Sequence, residues 1–269
     1  MLWVWPLTAR LSHKTVEAVR LMTLLKSLCE ASDKHIKSLL QRGLCTVNGE
    51  KERFSSRLLE KGDYVDFLFK PEIPAGKPRL LFEDSDIAAY DKPPFMSSLE
   101  VAEQLRHLKL LHRLDKETSG VLLFAKKDPK PFLKLFKSRE VGKGYVALVD
   151  GIIKEEEGVI KKPLAPLKRF AGQVVMGVSS EGLFAETHYT VKKRYKDKTL
   201  LLCRPITGRT HQIRIHMQSI GHPVLGDYHY GTRFKCKDHP PRIMLHAAFI
   251  RILDHLIQAP LPEDFKACM

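Results

Sequence analysis

Asp115 has the neighbours most suited to chemistry in this 269-residue chain. It sits in LHRLDKETSGVLLFAKK, residues 111–127, with Arg113 two positions before it and Lys116 directly after. A carboxylate among fixed cations stays charged, and can serve as a nucleophile, a base or half of an ion pair. The run 121–125 has the length of a buried strand, and Gly120 marks the loop before it. Asp115 is therefore expected on a loop braced by the core, a common seat for catalytic groups. Taken alone, the string supports two readings: a catalytic carboxylate, or a surface ion pair with Arg113.

A second cluster lies in RPITGRTHQIRIHMQSIGHPVLGDYHYG, residues 204–231. Thr207-Gly208 reads as a turn. Helical spacing runs over 210–220, with Ile213, Met217 and Ile220 on one face. Gly221 takes the C′ position and Pro223 follows. Arg209, Arg214 and several histidines leave this segment on more than one side. His211, His216, His222, His229, His239 and His246 are crowded enough to raise a metal-dependent hydrolase. Against it, no HExxH occurs, and His211 and His216 lie about 140° apart round a helix.

Across the whole chain, 45 Lys and Arg face 31 Asp and Glu, a formal net charge of +14. That excess favours a polyanionic partner, nucleic acid or anionic membrane. A hydrophobic share of 43% and a charged share of 28% are those of a globular protein. No apolar run reaches the roughly 20 residues of a membrane helix. The opening MLWVWPL lacks a basic leader and is broken by Pro6, which argues against a signal peptide. Five scattered cysteines without a CxxC suggest neither a disulfide framework nor a thiolate zinc site, and fit the cytoplasm.

The length allows two domains. Residues 1–13 read as a tail. From Lys14, the apolar residues Val16, Val19, Leu21, Leu24, Leu25 and Leu28 predict a helix. Ser32 offers an N-cap to a second helix over 33–42, with Ile36, Leu39 and Leu40 inward and Lys34, Lys37 and Arg42 on its polar face. Gly43 closes it. Asn48-Gly49 signals a type I′ hairpin, with Lys51 just beyond, and 64–69 reads as a strand. Residues 70–79, KPEIPAGKPR, read as a linker. The second domain, 80–269, opens with strand-like 80–82 and 87–90, followed by helical spacing over 99–111. Phe132, Leu135 and Phe136 form an apolar face opposite Lys130, Lys134, Lys137 and Arg139. A strand is expected at 145–149, irregular strands and loops over 152–182, and a hairpin of 189–195 with 200–203. A last core strand spans 242–252, and APLPEDF trails off.

Residues 14–69 resemble the S-four-like (alpha-L) RNA-binding domain, through GLCTVNGE and LEKGDYV. The usual Ser-Arg opening of the second helix is Ser32-Asp33-Lys34 here. The rest resembles the RluA family of pseudouridine synthases. The residues that carry this are YDKPP (90–94), HRLDKETSG (112–120), KGYVAL (143–148), TGRTHQIRIHMQSIGHPVLGD (207–227), MLHA (244–247) and APLPEDF (259–265). They stand in the family's order across 80–265. One departure follows Lys92-Pro93, where Pro94-Phe95-Met96-Ser97-Ser98 replaces a Gly-Leu-Val-Val-His-Pro-like run.

The resemblance implies an α+β fold: a central mixed, largely antiparallel sheet flanked by helices and loops, plus the small alpha-L module. It implies an isomerase that turns specific uridines of structured RNA into pseudouridine. Large-subunit ribosomal RNA is the first expected substrate and transfer RNA the second. It implies no cofactor, no metal, no membrane partner and a monomer. It makes Asp115 the essential carboxylate, attacking the anomeric carbon or acting as a base at the neighbouring ribose carbon. Arg214 becomes its basic partner, since guanidinium pairs bidentately with carboxylate. Tyr145 would stack on uracil, Leu245 would pack round the pocket, and His112 and Arg113 would enter the RNA. Thr118 and Arg209 would join the substrate-binding set, while Lys34, Lys37, Arg42 and Lys51 would serve the N-terminal module. The rival is a non-catalytic RNA-binding protein, which leaves Asp115, Tyr145 and Arg214 unused.

Overall fold

A computed structural model describes residues 9–70, 76–170, 173–231, 234–238 and 240–269. The chain divides into two compact units, Met1–Ile73 with Arg169–Gln173, and Pro74–Lys168 with Val174–Met269. Of the expected linker, 71–75 lie outside the described residues.

The first unit holds β1 (Ala9–Lys14), β2 (Val19–Arg20), α1 (Leu21–Leu28), α2 (Asp33–Gln41), β3 (Cys45–Val47), β4 (Glu50–Lys51), β5 (Leu58–Leu59) and β6 (Tyr64–Phe69). Residues 9–13, expected as tail, instead form most of β1, an edge strand antiparallel to β6. Its alternation is weak in sequence, and its partner residues lie fifty or more positions away. The first helix starts at Leu21, not near Lys14. Thr15 is pinned instead to the later turn, with its N–H on the Asp63 carbonyl at 2.9 Å and its hydroxyl donating to the Glu60 carbonyl. Val16, counted as part of the helical face, is 74% exposed.

The second helix follows its sequence signals. Ser32 accepts from the His35 N–H at 3.2 Å. Gly43, at φ 79°, closes it in a Schellman arrangement, with Gly43 N–H on Leu40 O and Leu44 N–H on Leu39 O. Asn48 and Gly49 both have positive φ in the two-residue hairpin between β3 and β4. Leu21, Leu25, Ile36, Leu39, Leu40, Val65 and Phe67 are buried.

The second unit runs β7 (Arg79–Glu83), β8 (Ile87–Lys92), α3 (Ser98–Gln104), β9 (Lys109–Leu110), β10 (Ser119–Ala125), α4 (Lys130–Ser138), β11 (Gly142–Asp150), β12 (Glu157–Lys161), most of β13 (Leu164–Phe170) and of β14 (Gln173–Val178), β15 (Glu186–Arg194), β16 (Lys198–Pro205), α5 (Gln212–Ser219), β17 (Leu245–Ile252), β18 (His255–Gln258) and α6 (Glu263–Ala267). A ten-stranded sheet has the order β12-β15-β16-β11-β17-β10-β8-β7, with β18 on β17 and β9 on β10. Its β10–β17 pairing is parallel, and its other pairings are antiparallel. It is therefore mixed and largely antiparallel, as expected.

Three expectations change in this unit. The helix predicted over 99–111 ends at Gln104, and 109–110 pair with β10. The last core strand begins at Leu245, leaving Arg242 before it free to bond sideways. APLPEDF does not trail off: α6 buries Asp264 and Phe265. A five-residue helix is too short to show periodicity in sequence.

Candidate active site

The Asp115 loop is tied at every side. Leu114 N–H donates to Ser98 Oγ at 2.8 Å, and that hydroxyl donates back to the Leu114 carbonyl at 3.1 Å. Lys92, fully buried, donates from Nζ to the carbonyls of Pro93, Met96 and Lys116 at 2.8, 2.7 and 3.2 Å. Ile243 N–H reaches Glu117 Oε2 at 3.2 Å. The loop then enters β10, where Gly120 has φ 111° and an added Cβ would lie 2.2 Å from the Ala247 carbonyl oxygen. Only glycine allows this close strand approach, which carries Leu245 toward the loop.

The partner arrives on α5. Arg214 Nη1 donates to Asp115 Oδ2 at 2.9 Å. Its Nε and Nη2 make a bidentate pair with Asp227, at 2.7 and 3.0 Å. The Arg214 side chain is 7% exposed, and Asp115 is 26% exposed. Burial disfavours the Arg214 charge, but the Asp227 and Asp115 carboxylates outweigh it and the guanidinium is held more firmly protonated than usual. Burial likewise pushes Asp227 up, while Arg214 and backbone N–H groups bring it below the ordinary carboxylate range. Tyr230 lies with its ring centroid 5.0 Å from the Arg214 guanidinium carbon.

These groups open on a cavity of about 470 Å³ whose lining includes Asp115, Arg214, Tyr145 and Leu245. Tyr145 follows a register shift between β11 and β17 at Gly144/Tyr145. Such a bulge turns a side chain relative to its ladder. Burial first and the Asp115 charge second push the Tyr145 phenol up, so it meets a ligand as a neutral hydroxyl. Thr118 lines the cavity too, its Oγ1 buried and without a hydrogen-bond partner among the described residues. Arg113, exposed, and Arg209, half-buried, line it with Lys137, Arg139 and Lys143.

His112 also lines the cavity, but its Nε2 accepts from the Leu123 N–H at 3.1 Å and its ring packs on Phe136 at 5.4 Å. Burial and Lys143 lower it to about 3. It is held as a neutral brace between loop and strand at the cavity wall. Lys34 and Lys37 are exposed on α2, while Arg42 and Lys51 are partly buried; none of the four lines the cavity.

Asp227 and Tyr230 have no role assigned from sequence, and His211 has one only as a metal-ligand candidate. His211 adopts φ 55° at the N-cap of α5, places Nδ1 2.6 Å from the Tyr230 hydroxyl, and sets Nε2 3.8 Å from Asp115 Oδ1. The available signal was a buried arginine that needs every donor satisfied, with an acid at the end of the same motif. Other histidines are spent structurally: His216 donates to the Lys162 carbonyl, His222 to the Asp150 carbonyl, and His246 accepts from Ser119. His239 lies outside the described residues.

A carboxylate and an arginine fork thus share a cavity with cationic and aromatic side chains, an arrangement suited to carboxylate chemistry on an anionic ligand. The profile of the family described as RNA pseudouridylate synthase matches residues 81–219. A Helicobacter pylori protein named as an uncharacterized RNA pseudouridine synthase is 39% identical over 238 residues, covering 87% of this chain and 94% of its own. The ribosomal large subunit pseudouridine synthase C of Escherichia coli is 35% identical over 218 residues, covering 71% and 68%. Human RNA pseudouridylate synthase domain containing 1 superposes with a TM-score of 0.62 at 27% identity, over 73% of this chain and 90% of that one. The chain belongs to the RNA pseudouridylate synthase family and is an isomerase that converts uridine in RNA to pseudouridine.

Proposed function

We propose that the chain isomerises specific uridines of structured RNA, with large-subunit ribosomal RNA as its substrate, and that Asp115 is the reacting carboxylate. The Arg214–Asp115 contact in a cavity shared with Tyr145 and Leu245 carries the assignment of roles. The name of the Escherichia coli relative supports the RNA class. The reaction breaks the C1′–N1 bond of uridine and forms C1′–C5, with the proton lost from C5 replaced by one on N1. Atoms and charge balance within the substrate, so neither cofactor nor metal is needed. Asp115 takes the anomeric carbon as a nucleophile or the C2′ proton as a base. Arg214 fixes its orientation, Tyr145 stacks on the displaced ring, and Thr118 and Leu245 shape the wall. Arg113 and Arg209 hold flanking RNA.

The first unit is assigned as an S-four-like RNA-binding module over 14–69, joined through 70–79 to a catalytic domain over 80–269. Lys34, Lys37, Arg42 and Lys51 supply its cationic contacts. Among the described residues no helix is long and apolar enough to cross a membrane. We assign the protein to the cytoplasm as a monomer, which cell fractionation and light scattering test.

Pseudouridine mapping on total RNA, with and without the protein, tests the substrate. A uridine of large-subunit ribosomal RNA should lose modification without the protein. A change confined to transfer RNA refutes the substrate class, and no change in any RNA refutes the activity in vivo.

A further inference from the structure

Phe184 stands in the loop between β14 and β15, where its side chain has no part in the uridine site described above. It is 44% exposed. Two arginines converge on it. The Arg139 guanidinium carbon lies 5.8 Å from its ring centroid, and Arg209 Nε donates to its carbonyl at 3.1 Å. Both arginines line the cavity that holds Asp115, whereas Phe184 does not line it. The ring therefore stands outside the cavity, with a cation that lines the cavity over it. Arg139 ends α4 at φ 65°, a conformation bulky residues seldom take, and its N–H is spent on Phe136.

A single exposed phenylalanine is ordinary on a protein surface. This one has two features that point to a ligand: a cation over its ring and a second arginine on its backbone, both facing the place where a nucleotide must enter. Extruding a uridine from a folded RNA unstacks its neighbour. That neighbour's base has a free face, and its phosphates need cations. RNA-binding proteins meet both needs with aromatic rings and arginine planes.

Resting on the uridine-isomerising reading, we propose that Phe184, Arg139 and Arg209 form a second nucleotide subsite for the base and phosphate that adjoin the target uridine. The base stacks on the Phe184 ring, and Arg139 and Arg209 take the adjoining phosphates. The site reads the backbone and any aromatic base face, so it fixes strand position rather than base identity.

The test uses the full chain and a stem-loop RNA that contains the uridine found by mapping. 2-Aminopurine replaces either the 5′ or the 3′ neighbour of that uridine. In the Asp115→Asn background, binding should quench the fluorescence of one of the two probes. Adding Phe184→Ala should abolish the quench and weaken binding about tenfold, as loss of one stacked base does. Phe184→Trp should retain both. Arg139→Gly, which suits the left-handed backbone, should lower the salt dependence of binding by about 0.7 in log–log slope for one lost phosphate contact. In the active enzyme, Phe184→Ala should raise KM about tenfold for the same RNA. An active parent whose KM, affinity and quench do not depend on Phe184 overturns the subsite alone. A parent that isomerises no uridine overturns the reading it rests on, and the subsite with it.

Discussion

Arg214 and Arg242 are both buried, and each gives Nε and Nη2 to one aspartate: Arg214 to Asp227, Arg242 to Asp264. Both aspartates are buried as well. The difference is the remaining nitrogen. Nη1 of Arg242 goes to backbone, reaching the carbonyls of Ile243, Glu117 and Leu245 at 3.1, 3.4 and 3.4 Å. Nη1 of Arg214 goes to Asp115, the partly exposed carboxylate at the cavity. In the first case the fork closes on itself and ties the Asp115 loop to the start of β17 and to α6. In the second it leaves one donor aimed at the carboxylate proposed to react. One pairing geometry thus serves structure or chemistry according to where its third donor points.

The widest separation of the two forks comes from removing what the third donor touches. Asp115→Asn keeps the shape and should reduce pseudouridine formation by a factor on the order of 10³ or more. RNA binding by gel shift should stay within a few-fold of the parent, and turnover near the parental rate would sink the role assigned to Asp115. Next comes Arg214→Met, expected to slow single-turnover isomerisation by a factor on the order of 10² or more. Arg214→Lys should recover only part of this, because an ammonium cannot span both aspartates. If lysine restores full rate, the fork geometry is irrelevant and only charge matters.

How much of this contrast was legible in sequence differs sharply between the two arginines. Asp115, Arg214, Tyr145 and Leu245 could be named because they sit in long motifs with fixed spacing, and α5 keeps its helical period and its Gly221 stop. Asp227 closes one of those motifs, yet nothing local says that it would take two of Arg214's donors. Arg242 and Asp264 are separated by a strand pair, and α6 is too brief to show amphipathicity. β1 was hidden for a related reason: its partner is far along the chain, and its only strongly apolar residue is Leu11. For His112 the motif suggests ligand contact, while its bond to Leu123, set by the fold of β10, is not visible in sequence. Local period and motif survive in sequence; the destination of a long polar side chain does not.

Arg242→Met tests the structural fork. It strands Asp264 without its partner and should lower unfolding free energy by about 3–5 kcal/mol, read by urea titration. Replacing both members, Arg242→Met with Asp264→Leu, should recover much of the loss, because no lone buried charge remains. Activity per folded molecule should fall far less than for Arg214→Met. An equal fall would mean that the two forks are not functionally distinct.

The smallest expected effect comes from acid, through the histidine beside the Arg242 fork. His246 is fully buried, accepts from Ser119 through Nδ1 at 2.9 Å, and is lowered to about 4, by burial foremost and by Arg242 against Asp264. The unfolded chain takes up this proton near 6.5, while the folded chain resists until about 4. Between those values the unfolded state binds more protons, so the contribution is complete above 6.5 and is lost as pH falls toward 4. His112, lowered to about 3, acts in the same direction from the other side of the loop. His246→Gln should therefore lower stability at pH 7.5, where the Ser119 bond is weakened, yet flatten the decline between pH 6.5 and 4.5 by an amount on the order of 1 kcal/mol. Urea midpoints across that range give the slope. A variant that declines as steeply as the parent would assign the acid sensitivity to His112 and to His211, which burial and the Arg214 guanidinium lower beside Asp115.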